Sequence, residues 1–134
     1  MPELLEKQVA YSAADVTLVT TAETVIISSG PVKVPAQTCL VHVRAYAQME
    51  AGAGTSYVGP QIRRGNSVSG LLISELQWEA LKTAPGSVES FVMEVIERRS
   101  DQDTVEYSLT LTQANAIANG TVFQAVIEVE ILSG

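Results

Sequence analysis

Alternation of apolar and polar residues with a period of two constrains this chain more than any other feature of its sequence. The alternation runs through residues 39–48, 104–112 and 121–132. A period of two places one set of side chains on each face of a strand, so each run predicts a strand with one buried face. β-branched residues strengthen the prediction, because 17 Val, 8 Ile and 11 Thr together make up 36 of the 134 residues.

Turn-forming dipeptides separate the apolar runs along the chain, among them Gly30-Pro31 and Asn119-Gly120. About eight strands result, and no long amphipathic helix interrupts them. This spacing predicts an all-β fold, an antiparallel β-sandwich and most naturally a jelly roll, over residues 16–134. Residues 1–15 are the least strand-like part and are predicted to form an N-terminal arm or a short helix, which either lies on the domain or docks onto a neighbouring subunit.

Charge and composition exclude several classes of function. Eight basic residues against 15 acidic ones give a formal net charge of −7, which argues against nucleic acid as a partner. No run of about 18 apolar residues favours membrane insertion, and the first residues lack the pattern of a secretory signal, so synthesis in a cytoplasm is expected. One Cys and one His leave no disulfide framework and no His-pair metal motif. We therefore expect no cofactor, no metal and no catalytic residues.

The remaining candidates point to contacts between proteins. Apolar side chains are predicted on the outer faces of strands, aromatic and arginine residues are enriched at interfaces, and the arm carries adjacent leucines. The predicted interface residues are Leu4, Leu5, Leu40, Tyr46, Arg63, Arg64, Trp78, Arg98, Arg99, Val122 and Val126.

Most of these features have a second interpretation. The arginine dyads either protect strand ends or pair with carboxylates of a neighbouring subunit. Trp78 either caps the core, anchors an interface or stacks on a sugar ring. His42 is expected to be a structural or interface residue, and Cys39 a small core residue. Asp101, Asp103 and Glu106 form a solvated turn or offer oxygen ligands to calcium.

Six short motifs follow one another in an order that resembles a group of bacteriophage structural proteins. They are Thr21-Ala22-Glu23-Thr24-Val25, Val34-Pro35, Gly52-Ala53-Gly54-Thr55, Ile62-Arg63-Arg64-Gly65, Tyr107-Ser108-Leu109-Thr110 and Asn119-Gly120-Thr121-Val122. The resemblance covers about residues 16–132. It implies a jelly roll related in shape to the trimeric tumour-necrosis-factor and C1q-like domains, in a protein that decorates phage heads or forms part of fibres.

The expected function is that of a non-enzymatic virion structural protein acting by adhesion. Its expected partners are further copies of itself, as a homotrimer, and viral shell or fibre proteins. The alternative is a carbohydrate- or surface-binding module that uses Trp78, Tyr57 and Tyr46, with calcium near Asp101 and Asp103. A cupin-type enzyme is disfavoured, because cupins hold their metal with several histidines.

Overall fold

A computed structural model describes residues 3–12, 14–18, 22–50, 56–74, 81–83, 88–99, 104–113 and 120–134. Within these ranges every regular element is a β-strand, which confirms the predicted all-β class. The strands are β1 (Leu4–Tyr11), β2 (Val16–Thr17), β3 (Thr24–Ser28), β4 (Val32–Lys33), β5 (Cys39–Glu50), β6 (Ser56–Arg64), β7 (Leu81–Thr83), β8 (Val88–Arg99), β9 (Thr104–Val105), β10 (Tyr107–Gln113) and β11 (Thr121–Ser133).

Two antiparallel sheets carry the fold. The large sheet has the strand order β1-β11-β5-β8, with β2 also pairing with β11, and the small sheet has the order β3-β10-β6-β7. The short strands β4 and β9 pair with each other. Contacts of β11 with β3 and β10, and of β8 with β6 and β7, bring the two sheets together as the layers of a sandwich.

The pairing is nested from the chain ends inward. Among the eight strands of these two paths, the first pairs with the last, the second with the seventh, the third with the sixth and the fourth with the fifth. A long antiparallel hairpin that is rolled up gives this order, which is the jelly-roll arrangement. The predicted antiparallel sandwich of about eight strands is therefore confirmed.

The core lies between the sheets and is built from the inward residue of each alternating pair. The alternation predicted for residues 39–48 is confirmed, and Cys39 is buried as expected. In residues 107–111 both faces are buried, because Ser108 and Thr110 are covered as fully as Tyr107, Leu109 and Leu111. The large sheet contributes Val41, Val43, Ala45, Ala47, Met93, Ala125, Ile127, Val129 and Ile131, and the small sheet contributes Ile27, Val58, Ile62, Tyr107, Leu109 and Leu111.

The first strand corrects one expectation. Residues 4–11 do not form a short helix; they form β1, which pairs with β11 from Leu4 opposite Leu132 to Tyr11 opposite Val126. The physical reason is that β11 would otherwise expose the backbone N–H and C=O groups of one edge, and β1 satisfies them. A division of the chain into two units at residue 15 stays a prediction.

Candidate assembly surface

The outer face of the large sheet gathers five of the eleven predicted interface residues, Leu4, Leu40, Tyr46, Arg98 and Val126. The pairing registers of its four strands place side chains in rows that cross the sheet from β1 to β8. We define this outer face by the rows Tyr11–Val126–Tyr46–Val92, Val9–Glu128–Arg44–Glu94, Lys7–Glu130–His42–Ile96 and Leu4–Leu132–Leu40–Arg98.

The first row is apolar along its whole length and ends in a groove. Tyr11 is 73% exposed and Val92 is 57% exposed, whereas Val126 and Tyr46 between them are partly covered. A groove of about 380 Å³ lies beside this row, where Phe123 joins Tyr11 and Tyr46. Aromatic side chains at such a place can bury a large area in an intermolecular contact.

The second row carries charges of alternating sign on Glu128, Arg44 and Glu94, and Lys7 of the third row reaches Glu128. Lys7 Nζ lies 3.2 Å from Glu128 Oε1, and Arg44 Nε lies 2.9 Å from Glu94 Oε1. His42 Nε2 lies 3.4 Å from Glu94 Oε2. Hydrogen bonds from His42 and then from Arg44 hold the pKa of Glu94 below its usual value. Each carboxylate of the row therefore meets a cation of its own chain.

Glu128 and Glu130 titrate as a pair on the same face. A hydrogen bond between their carboxyl groups lowers the pKa of Glu128 and raises the pKa of Glu130. Lys7 lowers the pKa of Glu128 further. Two neighbouring carboxyls share one proton more readily than they hold two negative charges. This pairing reduces the negative charge at the centre of the outer face as the pH falls.

Three of the four arginines in the predicted dyads form ion pairs within the chain. Arg63 donates from Nε and Nη2 to the two carboxylate oxygens of Glu23 at 2.5 and 2.8 Å. Arg64 and Arg99 both contact Glu97. These three arginines pair with carboxylates of the same chain, and their predicted role in an interface stays a prediction.

Arg98 differs from the other three arginines, because it is exposed on β8 and points to the outer face. Successive residues of a strand face opposite ways, so the dyad 98–99 sends one guanidinium to each side. Arg98 thus remains available to a partner at the last row of the surface.

Val122 is the clearest correction among the predicted interface residues. Simple alternation places Val122 outward and Phe123 inward, but Val122 is 1% exposed and Phe123 is only partly buried. The cause is an irregularity in the pairing of β11 with β5 between Val122 and Gln124. A β-bulge adds one residue to a strand and so reverses which face the residues before it occupy.

The remaining predicted residues fall into two groups. Leu4 and Leu5 are exposed on β1, and Leu40, Tyr46 and Val126 lie on the outer face with partial exposure. Trp78, Asp101 and Asp103 lie outside the described residues, as does the side chain of Tyr57. Their predicted roles stay predictions.

The sequence reasoning missed the residues that are most exposed on this surface. Val88, Val92 and Ile96 on β8 and Val9 and Tyr11 on β1 are apolar or aromatic and exposed. Alternation within β8 could have identified those on this strand. With Phe91, Met93 and Val95 on the inner face, Val88, Val92 and Ile96 must face outward.

No metal centre can be built from the described residues, because they contain no cluster of three His, Cys, Asp or Glu side chains with suitable placement. Glu106, a predicted calcium ligand, accepts a hydrogen bond from Ser28. Within the described ranges there is also no helix with the length and hydropathy of a membrane span.

Comparison with known proteins gives a likeness of fold. No protein-family model matches the sequence, and no curated protein matches it. A chain in the crystal structure of the T13 particle of infectious bursal disease virus superposes with a TM-score of 0.59 at 8% identity, over 96% of this chain and 31% of that chain. A chain of the Gx strain of the same virus gives a TM-score of 0.31 at 10% identity, over 96% of this chain and 41% of that one, which is too low to indicate a common fold. The protein spans less than a third of the first neighbour, and it shares a jelly-roll fold with part of a chain from a viral particle.

Proposed function

We propose that this protein is a non-enzymatic structural component of a virion, a homo-oligomeric module that acts by adhesion. The observation that carries the proposal is the concentration of exposed apolar side chains on one sheet. Of the ten large apolar residues exposed among the described residues, seven lie on β1 and β8, the two edge strands of the large sheet. Exposed apolar side chains concentrated in this way mark protein contact sites.

The likeness of fold supports the same proposal. The neighbour at a TM-score of 0.59 is part of a viral particle, where chains work by packing against other chains. Fold alone does not determine function, so the argument also needs the surface described above. In the more specific form of the proposal, the protein is a bacteriophage head-decoration or fibre-type module related to tumour-necrosis-factor and C1q-like domains. It assembles as a trimer and contacts shell or fibre proteins in the virion.

Mass in solution tests this proposal directly. Size exclusion coupled to light scattering on the full chain is expected to give three times 14.3 kDa, the mass of the proposed trimer. A protein that stays monomeric at high concentration, and that also binds no viral particle, would contradict the proposal.

A second candidate function rests on the groove beside Tyr11. Its aromatic residues Tyr11, Tyr46 and Phe123, with the polar side chains of Ser12 and Gln124, are the kind of lining that holds a sugar ring. This carbohydrate-binding alternative predicts a response to at least one member of a broad glycan panel. Tyr11→Ala should abolish that response while leaving the unfolding transition unchanged, and a silent panel would count against the alternative.

A further inference from the structure

The two edges of the large sheet match each other in polarity, charge and direction. We propose that β8 of one copy pairs with β1 of the next copy as an antiparallel ladder, so that the large sheet continues from subunit to subunit in a head-to-tail ring. This inference rests on the proposed homo-oligomeric function and specifies its contact.

Strand direction permits the ladder. Neighbouring strands of the large sheet are antiparallel throughout the order β1-β11-β5-β8, so β1 and β8 run in opposite directions. Two copies in the same orientation, placed edge to edge, therefore bring β8 and β1 together as an antiparallel pair. Each outer face then continues into the next one.

Edge length favours this sheet over the other. The edge strand β8 has 12 residues and β1 has 8, whereas the edge strands of the small sheet, β3 and β7, have 5 and 3. Long edge strands without proline present rows of backbone donors and acceptors to a pairing partner. Addition of a strand at such an edge is a common mode of protein recognition.

The side chains select one register. With Val92 opposite Val9 of the next copy, Glu94 lies opposite Lys7. In the same register, Ile96 lies opposite Leu5, at the point where the pairing of β1 with β11 is irregular between Leu4 and Glu6, and Arg98 lies opposite Glu3. Ile96 is 65% exposed in the single copy, so this contact would cover one of the most exposed apolar side chains on the surface.

The charged row continues across the contact. Within one copy the second row holds Glu128, Arg44 and Glu94, and Lys7 of the third row reaches Glu128, so the series has a cation at the β1 edge and an anion at the β8 edge. In the head-to-tail contact the Lys7 ammonium of the next copy follows Glu94, and the alternation of sign is preserved. In the two-fold alternative that places Val92 opposite Ile96 of a second β8, Glu94 faces Glu94, which is repulsive.

A heterologous contact of this kind has a defined consequence for assembly. Every copy uses both edges, so a closed ring leaves no long edge of the large sheet unpaired. If the angle between copies does not close, the same contact gives a filament. The trimer of the proposed function is the closed form.

Cysteine cross-linking between two single variants tests the register. Val9→Cys protein and Val92→Cys protein are mixed in equal amounts, oxidised gently and run on a non-reducing gel. We expect a covalent dimer containing one copy of each variant, and little of either homodimer. As the matched control, Val9→Cys mixed with Ile96→Cys should give little dimer, because a shift of four residues along a strand separates the thiols by about 13 Å.

The alternative outcomes are distinct. A covalent dimer of Val92→Cys with Ile96→Cys, formed where Val9→Cys with Val92→Cys gives none, would overturn the head-to-tail contact in favour of the two-fold pairing of β8. Absence of the mixed dimer from protein that light scattering shows to be oligomeric would overturn this inference and leave the proposed function standing. A wild-type protein that stays monomeric would overturn this inference, and one that also binds no viral particle would overturn both.

A charge swap gives independent evidence without new thiols. Arg98→Glu and Glu3→Arg should each weaken self-association by about fivefold, the effect of losing one exposed ion pair. The double variant should recover most of that loss, because each contact in the ring again joins opposite charges. Losses that simply add in the double variant would contradict the pairing of these two residues.

Discussion

At the scale of single residues, burial and charge interact most closely in the pair formed by Glu23 and Arg63. Burial alone would raise the pKa of Glu23, but hydrogen bonds from Arg63 and Thr110 outweigh it and hold the pKa below 4.5. Arg63 also donates from Nη1 to the carbonyl of Gly70 at 2.7 Å, so it fixes the segment after β6. The side chains of Arg63 and Glu23 are 17% and 16% exposed.

Removal of this pair should destabilise the fold. Arg63→Ala is expected to lower the free energy of unfolding by about 1–3 kcal/mol at pH 7, because a largely buried carboxylate loses its partner. Chemical denaturation measures the change, with the exposed Lys33→Ala as the control that should leave stability unaltered.

The same pair has a pH signature. Because the folded-state pKa of Glu23 is lowered, its stabilising contribution is present above about pH 4.5 and is lost as the pH falls through the folded pKa. The stability difference between wild type and Glu23→Gln should therefore shrink on acidification. A difference that stays constant down to pH 2 would show that the carboxylate charge is not what stabilises the pair.

Tyr107 has the opposite behaviour at high pH. Burial, and next the carboxylate of Glu97, raise the pKa of Tyr107 from 10.0 to about 12. A raised folded-state pKa means that stability is full below pH 10 and falls as the pH rises towards about 12. Relative to Tyr107→Phe, the wild type should lose stability over that interval. In an alkaline absorbance titration, the variant should lack the tyrosine that ionises at about pH 12.

At the scale of elements, the bulge in β11 decides which valine is structural. Val122→Ala should cost about 1.5–3 kcal/mol of unfolding free energy, the value of burying a valine side chain fully. Val126→Ala removes a partly exposed side chain and should cost much less. Equal costs in denaturant titrations would contradict the inward placement of Val122.

The same elements show how far sequence reasoning reaches. Alternation in residues 39–48 predicted the strand and its buried face correctly. In residues 104–112 it predicted the core face but not the burial of Ser108 and Thr110 on the other face, where Thr110 donates to Glu23, a residue distant in sequence. In β11 the alternation is also regular, but a bulge leaves no mark on the pattern because Val122 and Phe123 are both apolar. β1 was missed because Leu4-Leu5-Glu6-Lys7 does not alternate, and its strand form depends on pairing with β11, a contact distant in sequence.

The candidate surface was predicted in part for the same reason. Leu40 and Tyr46 follow from alternation within β5, whereas the rows that join them to Val92 and Tyr11 require the registers of three strand pairs. The partners of Arg63 and Arg64 are carboxylates 40 and 33 residues away in sequence. No local pattern specifies such distances.

At the scale of the whole molecule, nested pairing ties the first strand to the last. The backbone of Glu3 exchanges hydrogen bonds with Ser133, its N–H donating to Oγ at 2.7 Å and its carbonyl accepting from N–H at 2.8 Å. Loss of β1 would expose one edge of β11 and the apolar surface beneath it.

Deletion of residues 1–11 should therefore lower stability as well as self-association. The control is Leu4→Ser with Val9→Ser, which keeps the strand and removes only outward apolar side chains, so it should weaken self-association and leave unfolding nearly unchanged. Thermal unfolding and light scattering on the three proteins measure both effects. An unchanged melting temperature after the deletion would show that β1 adds nothing to the fold of the single copy.

The central position of β11 has a consequence for how the protein is made. β11 lies between β1 and β5 in the large sheet, yet it leaves the ribosome after both of them. Among the described strands β1 pairs only with β11, so until β11 emerges β1 is unpaired, β5 has one open edge, and the core lacks Ile127, Val129 and Ile131. The growing chain therefore has to keep its exposed apolar strands from binding those of neighbouring nascent chains. The roll closes only when β11 pairs with β1 on one side and β5 on the other.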